Sequence, residues 1–235
     1  MQQFKRILLK LSGEGLACNE SNLLNVSKLN TLANEIKNLI NQKIEIAIVI
    51  GGGNVCRGIN YKNSVFRRTT LDNMGVMATI LNGLALFDIL SQQEIPCILT
   101  SALEINKISE FYNTEKSKEH LKQGKVVILV GGIATPFFST DTTAIIRAAE
   151  LECDAVLKAT QVDGIFNKDP KKYQDAQKID KISHDEVISK NLTVMDLQSI
   201  IIAKEAKIPI YIFNMHKENS IINLINGNLE YSIIS

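Results

Sequence analysis

Residues 44–53 read Ile-Glu-Ile-Ala-Ile-Val-Ile-Gly-Gly-Gly, and this stretch decides the fold. The run from Ile44 to Ile50 is apolar and β-branched almost without interruption, which is typical of a strand buried on both faces. Strands of that kind occur in parallel sheets that carry helices on both sides. The glycines that follow predict a tight turn where the strand ends and where the backbone can approach a ligand closely.

The same strand-length apolar runs recur on both sides of this stretch. They predict further strands at residues 7–11, 96–100, 126–130, 155–159, 208–213 and 231–234. The segments between them place apolar residues three and four positions apart, as at Leu29, Leu32 and Ile36, which is typical of amphipathic helices. They predict helices at residues 26–40, 70–92, 115–123, 140–151, 195–206 and 220–225, with Ser27 capping the first and a loop at 160–175. The alternation predicts an α/β fold, a three-layer sandwich with a mainly parallel central sheet.

Composition and charge favour an ordinary globular protein and exclude several functional classes. The chain has 235 residues, 45% of them hydrophobic, and its 26 Lys and Arg residues nearly balance 25 Asp and Glu residues. A net charge of +1 provides no basic field for nonspecific nucleic-acid binding. No uninterrupted apolar run approaches the ~18 residues of a membrane span, and the first residues lack the features of a signal peptide. We therefore expect no nucleic-acid partner, no membrane insertion and a cytoplasmic location.

The cysteine and histidine residues show no disulfide or metal-binding pattern. Cys18, Cys56, Cys97 and Cys153 are scattered singly, without a Cys-x-x-Cys pair, and predict free thiols in a reducing compartment. The histidines are far apart, and none lies in a His-Glu-x-x-His motif. The sequence therefore predicts no zinc site and no metal held by protein ligands.

Glycines and lysines lie at the carboxyl ends of several strands, where parallel sheets bind ligands. These segments are Lys10-Leu-Ser-Gly13, Gly51-Gly-Gly53, Gly131-Gly132 and Lys158-Ala-Thr160. Glycine amides together with lysines indicate a phosphate site. The residues alone leave open a tight strand–helix turn for the glycines and a plain surface loop for residues 160–175. The P-loop motif, the dinucleotide-binding fingerprint and the protein-kinase signature set are all absent from the sequence.

A set of motifs runs in order through nearly the whole chain. They are Ile7-Leu-Leu-Lys-Leu-Ser-Gly-Glu14, Val49-Ile-Gly-Gly-Gly-Asn-Val-Cys-Arg-Gly58, Asp72–Gly83, Pro136-Phe-Phe-Ser-Thr-Asp141, Leu157–Pro170, Val194-Met-Asp-Leu197 and Ile212-Phe-Asn-Met215. In this order they resemble the bacterial uridylate (UMP) kinases of the amino acid kinase superfamily. The opening strand and the Asp163-Gly…Asp169-Pro segment are shared with carbamate, acetylglutamate and aspartate kinases. The Asp72 helix, the Pro-Phe-Phe segment and the Val-Met-Asp segment are specific to the UMP kinases.

The resemblance implies the amino acid kinase fold in a single domain over residues 1–235, and phosphoryl transfer from MgATP to UMP, giving ADP and UDP. The N-terminal part would hold mainly UMP, and residues from about 160 to 235 mainly ATP. The implied catalytic residues are Lys10, Asp141 and Lys158. The lysines would offset charge that develops during transfer, and Asp141 would orient these cationic groups.

The implied binding residues form two sets, here called the ATP set and the UMP set. The ATP set is Lys10, Leu11, Ser12, Gly13, Gly53, Arg57, Thr160, Phe166 and Asp169. The UMP set is Gly52, Asp72, Ile133, Ala134, Thr135, Pro136, Phe137, Phe138, Ser139 and Thr140. Asp196 stays outside both sets, because a role at the start of a helix explains it equally well. No general base is required, since the acceptor phosphate has a second pKa of about 6 and is largely dianionic near neutrality. Mg²⁺ is expected to be held mainly by phosphates and water.

Two departures from the family pattern alter these expectations. Where the family usually has Gly-Thr-Gly-Asn before Pro-Phe-Phe, this chain has Gly132-Ile-Ala-Thr135, which keeps the main chain and changes the side chains at the UMP phosphate. Many family members bind an activating GTP through a glycine-rich stretch that here is residues 17–24, Ala-Cys-Asn-Glu-Ser-Asn-Leu-Leu. The resemblance implies a homohexamer inhibited by UTP, and the altered stretch leaves activation by GTP open.

Two other functions remain open at this point. One is a kinase of the same fold that acts on a carboxylate, a carbamate or isopentenyl phosphate; Asp72 and the Pro-Phe-Phe segment argue against it. The other is a non-catalytic nucleotide sensor or storage protein, against which the presence of Lys10 and Asp141 argues.

Overall fold

The computed structural model describes residues 4–17, 24–56, 65–168, 170 and 172–235. Its strands are β1 (Arg6–Leu11), β2 (Glu45–Ile50), β3 (Cys97–Ser101), β4 (Glu110–Phe111), β5 (Val126–Val130), β6 (Ala155–Thr160), β7 (Ile165–Phe166), β8 (Lys178–Ile179), β9 (Lys181–Ile182), β10 (Ile210–Asn214) and β11 (Ser232–Ile234). Its helices are α1 (Val26–Asn41), α2 (Arg68–Gln92), α3 (Thr114–Lys122), α4 (Thr140–Glu150), α5 (His184–Ser189), α6 (Leu197–Ala206) and α7 (Ser220–Ile225). A 3-10 turn, Glu14–Leu16, follows β1.

The described strands form one large sheet and one small ribbon. The large sheet has nine strands in the order β4-β3-β5-β2-β1-β6-β10-β11-β9. Its strand pairs in the described chain are parallel, except that β11 runs antiparallel to β10. The ribbon is the antiparallel pair of β7 and β8. The predicted α/β fold with a mainly parallel central sheet is confirmed.

Helices cover both faces of the large sheet, as the unbroken apolar strands predicted. On one face α1, α2 and α7 pack over Leu9, Leu11 and Leu157. On the other face α3, α4 and α6 pack over Leu8 and Val156. Each face buries its own cluster of apolar side chains, so the sheet is the middle layer of three.

The register of the central strands decides which polar side chains meet. Lys10 in β1 lies opposite Val49 on one side and opposite Lys158 on the other. Because side chains alternate along a strand, Lys10 lies on the face of Leu8, and Lys158 lies on the face of Val156. These two apolar residues belong to the cluster that α4 covers. The two lysines are therefore neighbours under α4, at the carboxyl ends of β1 and β6.

Some local predictions were wrong. Asn25, not Ser27, caps α1, and its side-chain oxygen accepts a hydrogen bond from the N–H of Lys28 at 3.1 Å. Both positions carry a residue type that caps helices well, so composition could not choose between them. The predicted loop at 160–175 contains β7, and β4, β8, β9 and α5 were not predicted. Strands of two residues and a helix of six are too short to show a period.

The long helix α2 has apolar residues on more than one side. By length and composition alone, residues 68–92 could cross a membrane. In this fold α2 packs against β3 and β5 and buries Leu86 and Leu90 completely. A second row of large apolar side chains on α2 remains exposed; this row, named the α2 stripe, consists of Met74, Met77, Leu81 and Leu84. Packing on the sheet therefore accounts for one apolar side of α2 but not for the stripe.

Gly83 lets α2 approach β5 closely, and its replacement tests this packing. A Cβ atom at Gly83 would lie 2.1 Å from Cγ1 of Val130, whereas a Cβ at Gly75 in the same helix would meet nothing within 4 Å. We expect Gly83→Ala to lower the free energy of unfolding by about 1–3 kcal/mol because of overpacking. Gly75→Ala should raise it by about 0.5–1 kcal/mol through helix propensity. Urea unfolding followed by circular dichroism measures both, and equal effects at the two positions would contradict the close approach.

Candidate active site

A carboxylate held between two ammonium groups lies at the centre of the candidate site. The Nζ atom of Lys10 is 2.8 Å from Oδ1 of Asp141, and the Nζ atom of Lys158 is 2.5 Å from Oδ2 of the same residue. Lys158 also donates to the carbonyl oxygen of Val194 at 2.9 Å. The structure thus brings together the three residues predicted to be catalytic, at the edge of the sheet where the sequence placed the phosphate site.

The backbone brings these charges together from three distant segments. Strand register sets the two lysines side by side, and the first turn of α4 places Asp141 above them. Ser139 caps α4 by accepting a hydrogen bond from the N–H of Thr142 at 3.0 Å. This cap fixes where the helix begins and therefore where the carboxylate of Asp141 lies.

Burial and mutual attraction set the protonation states of this group. Burial raises the pKa of Asp141, but the nearby ammonium groups of Lys158 and Lys10 outweigh that effect and hold the pKa at about 2. Burial lowers the pKa of Lys158 to about 8; attraction to Asp141 opposes this shift, and repulsion from Lys10 adds to it. Near neutral pH the group therefore carries two positive charges and one negative charge. Its net positive charge lies at the carboxyl ends of β1 and β6, where the sequence predicts a phosphate site.

The glycine turns after β1 and β2 pack against each other next to these lysines. The N–H of Gly51 donates to the carbonyl of Leu11 at 2.9 Å, and the side chain of Asn82 donates to the carbonyl of Gly51 at 2.7 Å. A Cβ at Gly13 would lie 2.5 Å from the carbonyl oxygen of Gly51, and one at Gly52 would lie 2.6 Å from that of Gly75. Only glycine fits at these two positions, which leaves main-chain amides as the groups that can approach an anion.

Two clefts lie beside the cationic group and its glycine turns. The first cleft lies between α2 and the start of α4 and has a volume of about 260 Å³. The members of the UMP set that line it are Gly52, Asp72, Thr135, Phe138, Ser139 and Thr140, and Gly53 of the ATP set joins them. Ile133, Ala134, Pro136 and Phe137 lie in the same loop but do not line this cleft. The carboxylate of Asp72 accepts hydrogen bonds from the N–H of Phe137 at 2.9 Å and from Nε of Arg68 at 2.7 Å.

The second cleft lies beside β6 and the β7–β8 ribbon and has a volume of about 490 Å³. Thr160 and Phe166 of the ATP set line it, together with Val194, whose carbonyl holds Lys158. Leu11 of the same set is buried in the core and offers only its main chain. Arg57 and Asp169 of that set, and residues 18–23 of the altered stretch, lie outside the described residues.

Asp196, which the sequence analysis left outside both sets, contacts two residues at the start of α4. It caps α6, with Oδ1 accepting from the N–H of Ser199 at 3.0 Å, as its helix-start role predicted. The same carboxylate also accepts from Oγ1 of Thr142 at 2.8 Å and from the hydroxyl of Ser139. It thereby fixes the start of α4 to the start of α6. The capping position was visible in the sequence, but the link to Ser139 joins residues far apart in the chain.

The described residues contain no group of three or more His, Cys, Asp or Glu side chains that could hold a metal ion. Cys56, Cys97 and Cys153 are free and separate, and Cys18 is not among the described residues. The carboxylate of Asp141 is already shared between two lysines. The site as a whole is a cationic group beside glycine turns, with its neighbour Thr140 lining one cleft and its partner Val194 lining the other. Such a site is suited to binding phosphate groups.

Comparison with known proteins agrees with this class of site. The profile of the Amino acid kinase family matches residues 5–214. The uridylate kinase of Campylobacter jejuni subsp. doylei is 41% identical over 229 residues, which cover 97% of this chain and 96% of that protein. The crystal structures of UMP kinase from Ureaplasma parvum and from Bacillus anthracis match with TM-scores of 0.94 and 0.95. Their identities are 36% and 33%, and the matches cover 100% of this chain and 100% and 97% of theirs. The chain therefore belongs to the amino acid kinase family, and within it to the uridylate kinases.

The lowered pKa of Lys158 predicts an alkaline limit to substrate capture. With a pKa of about 8, Lys158 loses its charge above that pH, whereas nucleotide phosphates have already ionised at lower pH. We expect kcat/KM to fall about ten-fold for each pH unit above this value. If Lys158→Arg retains activity, its kcat/KM should not fall over this pH range, because arginine stays charged. A wild-type kcat/KM that stays constant up to pH 10 (roughly two units above the limit) would contradict the assignment.

Proposed function

We propose that this protein transfers the γ-phosphoryl group of ATP to UMP, giving ADP and UDP, in the synthesis of pyrimidine nucleotides. The observation that carries the proposal is the Lys10–Asp141–Lys158 group, whose neighbouring residues line two clefts. Thr140, next to Asp141, lines the first cleft, and Val194, bonded to Lys158, lines the second. The near full-length similarity to uridylate kinases selects UMP as the acceptor.

We assign UMP to the first cleft and ATP to the second, within a single domain over residues 1–235. Asp72 would bind the ribose of UMP, and the amides of Gly52 and of residues 132–135 would bind its phosphate. Thr160 and Phe166 would hold the adenosine of ATP. The hydroxyl of Thr160 lies 2.8 Å from the carbonyl of Val162, which supports the shape of that pocket. Residues before about 160 thus serve mainly the acceptor, and the remainder serves mainly the donor.

The chemical difficulty is to bring two anionic phosphates into contact, and the cationic group addresses it directly. The acceptor phosphate is itself the nucleophile and is largely dianionic near neutrality, so no side chain has to remove a proton. Lys10 would bridge donor phosphate oxygens, and Lys158 would lie near the transferred group. Asp141 keeps both ammonium groups in place before substrates arrive. Fixed charges of this kind stabilise the transition state without reorganisation.

The residues at the site fit a magnesium ion that is held by the phosphates of the nucleotide rather than by side chains of the protein. Mg²⁺ prefers oxygen ligands and retains several waters, so phosphate oxygens of ATP and water can complete its coordination. Asp141 would act on it indirectly, through the lysines. When bound, the ion supplies further positive charge to the transferred phosphoryl group.

Regulation by nucleotides follows from the same clefts. UTP would inhibit by occupying the nucleotide site itself, since it shares the uridine of UMP. Ile133 lacks the hydroxyl that the family usually has at this position, so the UMP phosphate would depend on main-chain amides there. Activation by GTP stays open, because the stretch concerned departs from the family pattern.

The α2 stripe supports self-association, and we propose a homohexamer. Met77 and Leu81 are about half exposed, and the stripe repeats at the helix-face spacing of three and four residues. A second copy of the chain is the partner that would bury it. We also place the protein in the cytoplasm, where its nucleotide substrates and reduced thiols are both expected.

A substrate panel tests the proposed activity. Purified protein with MgATP is assayed for ADP release against UMP, CMP, dUMP, AMP and GMP. We expect turnover with UMP and a loss of at least about 100-fold in kcat for Lys10→Ala, because a charge at the reacting phosphates is removed. Lys118→Ala is the matched control. Lys118 also has a side chain mostly buried in an ion pair, 2.7 Å from Glu152, but it lies on α3 away from the clefts.

Each result of the panel separates the candidate functions. Turnover with another acceptor and none with UMP would move the protein to a different kinase of the same fold. Binding of UMP and ATP without turnover would identify a nucleotide sensor. An equal loss in Lys10→Ala and Lys118→Ala would mean that the first effect reports general damage to the fold.

Sedimentation velocity tests the proposed assembly. We expect wild-type protein to sediment as a hexamer and Leu81→Glu to sediment as smaller species, because a charge in an apolar interface is costly to bury. Val26→Glu is the control, since Val26 is also exposed on a helix but lies at the start of α1. A wild-type protein that stays monomeric, or a Leu81→Glu variant that stays hexameric, would contradict the role of the stripe.

A further inference from the structure

A buried arginine lies beneath the loop that we assign to the UMP phosphate. Arg147, in the last turn of α4, is only 7% exposed. Its Nη1 atom is 2.6 Å from Oε2 of Glu150, and its Nη2 atom donates to the carbonyl of Gly132 at 3.3 Å. The guanidinium also stacks on the ring of Tyr112, 3.7 Å from the ring centre. One guanidinium thus joins α4, the segment after β4 and the loop of residues 131–138, which is called the acceptor loop below.

The acceptor loop needs such support because its backbone is strained. Gly131 and Gly132 have φ angles of +78° and +59°, which glycine adopts freely. Ala134 and Phe137 have φ angles of +58° and +73°, which are costly for residues with a side chain. Strained conformations persist only where surrounding contacts hold them.

Three hydrogen bonds from other elements hold this loop. Oγ1 of Thr79 accepts from the N–H of Gly131 at 3.0 Å, and Asp72 accepts from the N–H of Phe137 at 2.9 Å. The bond from Arg147 to the carbonyl of Gly132 is the third. It differs from the other two because its donor is a charged, rigid group that is itself fixed from several sides.

The bond to Gly132 also fixes the direction of the next amide. In a planar trans peptide the carbonyl of one residue and the N–H of the following residue point in opposite directions. The carbonyl of Gly132 points to Arg147, so the N–H of Ile133 points away from the guanidinium. Within the described part of the chain, this N–H has no hydrogen-bond acceptor in the protein. A donor that is fixed in direction and left unpaired is suited to an anionic ligand.

Tyr112 and Glu150 hold the guanidinium in turn. The hydroxyl of Tyr112 donates to Oε2 of Glu150 at 2.7 Å, the same oxygen that Arg147 contacts. Burial raises the pKa of Tyr112 to about 12, so this hydroxyl stays protonated and keeps donating. A buried arginine with a carboxylate and an aromatic face has little freedom to move.

We infer that Arg147 is a positioning residue for the UMP phosphate: it holds the carbonyl of Gly132, which lines the first cleft, and thereby fixes the direction of the peptide group that joins Gly132 to Ile133. This inference rests on the proposed assignment of UMP to the first cleft. It carries extra weight in this chain, because the side chain at position 133 is apolar and leaves the main chain to bind the phosphate.

The test compares Arg147→Met and Arg147→Lys with a matched control, Arg6→Met. Arg6 is equally buried at 7% exposure, and it likewise contacts one carboxylate, Glu45 at 2.5 Å, and one carbonyl, that of Leu151. It lies at the amino end of β1, whereas the cationic group lies at the carboxyl ends of β1 and β6. The KM values for UMP and ATP, kcat, the Kd of UMP without ATP, and Tm are measured for each protein.

We expect both Arg147 variants to raise KM and Kd for UMP about ten-fold or more, with the KM for ATP within about two-fold of wild type. Tyr112→Phe should raise KM for UMP by about two- to three-fold, since it loosens the guanidinium without removing it. Arg6→Met should lower Tm and leave both KM values unchanged. If Arg147→Met does not fold, Arg147→Lys and Tyr112→Phe carry the same test.

Unchanged UMP affinity in the folded Arg147 variants would overturn the inference. The proposed function would still stand if the wild-type protein phosphorylates UMP. Equal rises in KM for UMP and in KM for ATP in the Arg147 variants would show a purely structural role and would overturn the inference. A rise in KM for UMP alone in Arg6→Met would overturn it as well. A wild-type protein that does not phosphorylate UMP would instead refute the proposed function, on which the inference rests.

Discussion

The placement of one carboxylate between two buried ammonium groups is the constraint on which the site depends. Lys10 and Lys158 lie side by side because β1 and β6 pair in register, and burial together with repulsion from Lys10 lowers the pKa of Lys158 while attraction to Asp141 opposes that shift. Asp141 balances only one of the two positive charges. The remaining positive charge is what a site needs if it is to receive two phosphates.

The start of α4 is the structural element that makes this placement accurate. Ser139 caps the helix, and Asp196 from the start of α6 holds Ser139 and Thr142 together. Farther along the same helix, Arg147 supports the acceptor loop. One helix thus carries the carboxylate that pairs with both lysines in its first turn, and in its last turn the arginine that holds Gly132.

Much of the fold and the centre of the site could be predicted from the sequence. Nearly unbroken apolar strands, such as the one in residues 44–50, predicted the parallel sheet, because such strands must be covered on both faces. Lysines and glycines at the carboxyl ends of strands indicated a phosphate site, because parallel strands end at one edge of the sheet. The short strands and α5 were missed because they carry no period, and Ser27 was taken for the cap that Asn25 provides.

The sequence by itself determined the class of fold, the edge of the sheet where the chemistry lies and the residue types that meet there. Those properties follow from local patterns: burial, periodicity and the residues that end each strand. Only the tertiary structure decided that Asp141 lies between the two lysines, that Asp196 joins two helix starts, and that Arg147 reaches the carbonyl of Gly132. Each of these contacts joins segments that are separate in the chain. Their distances depend on how helices pack on the sheet, and no spacing along the sequence records that packing.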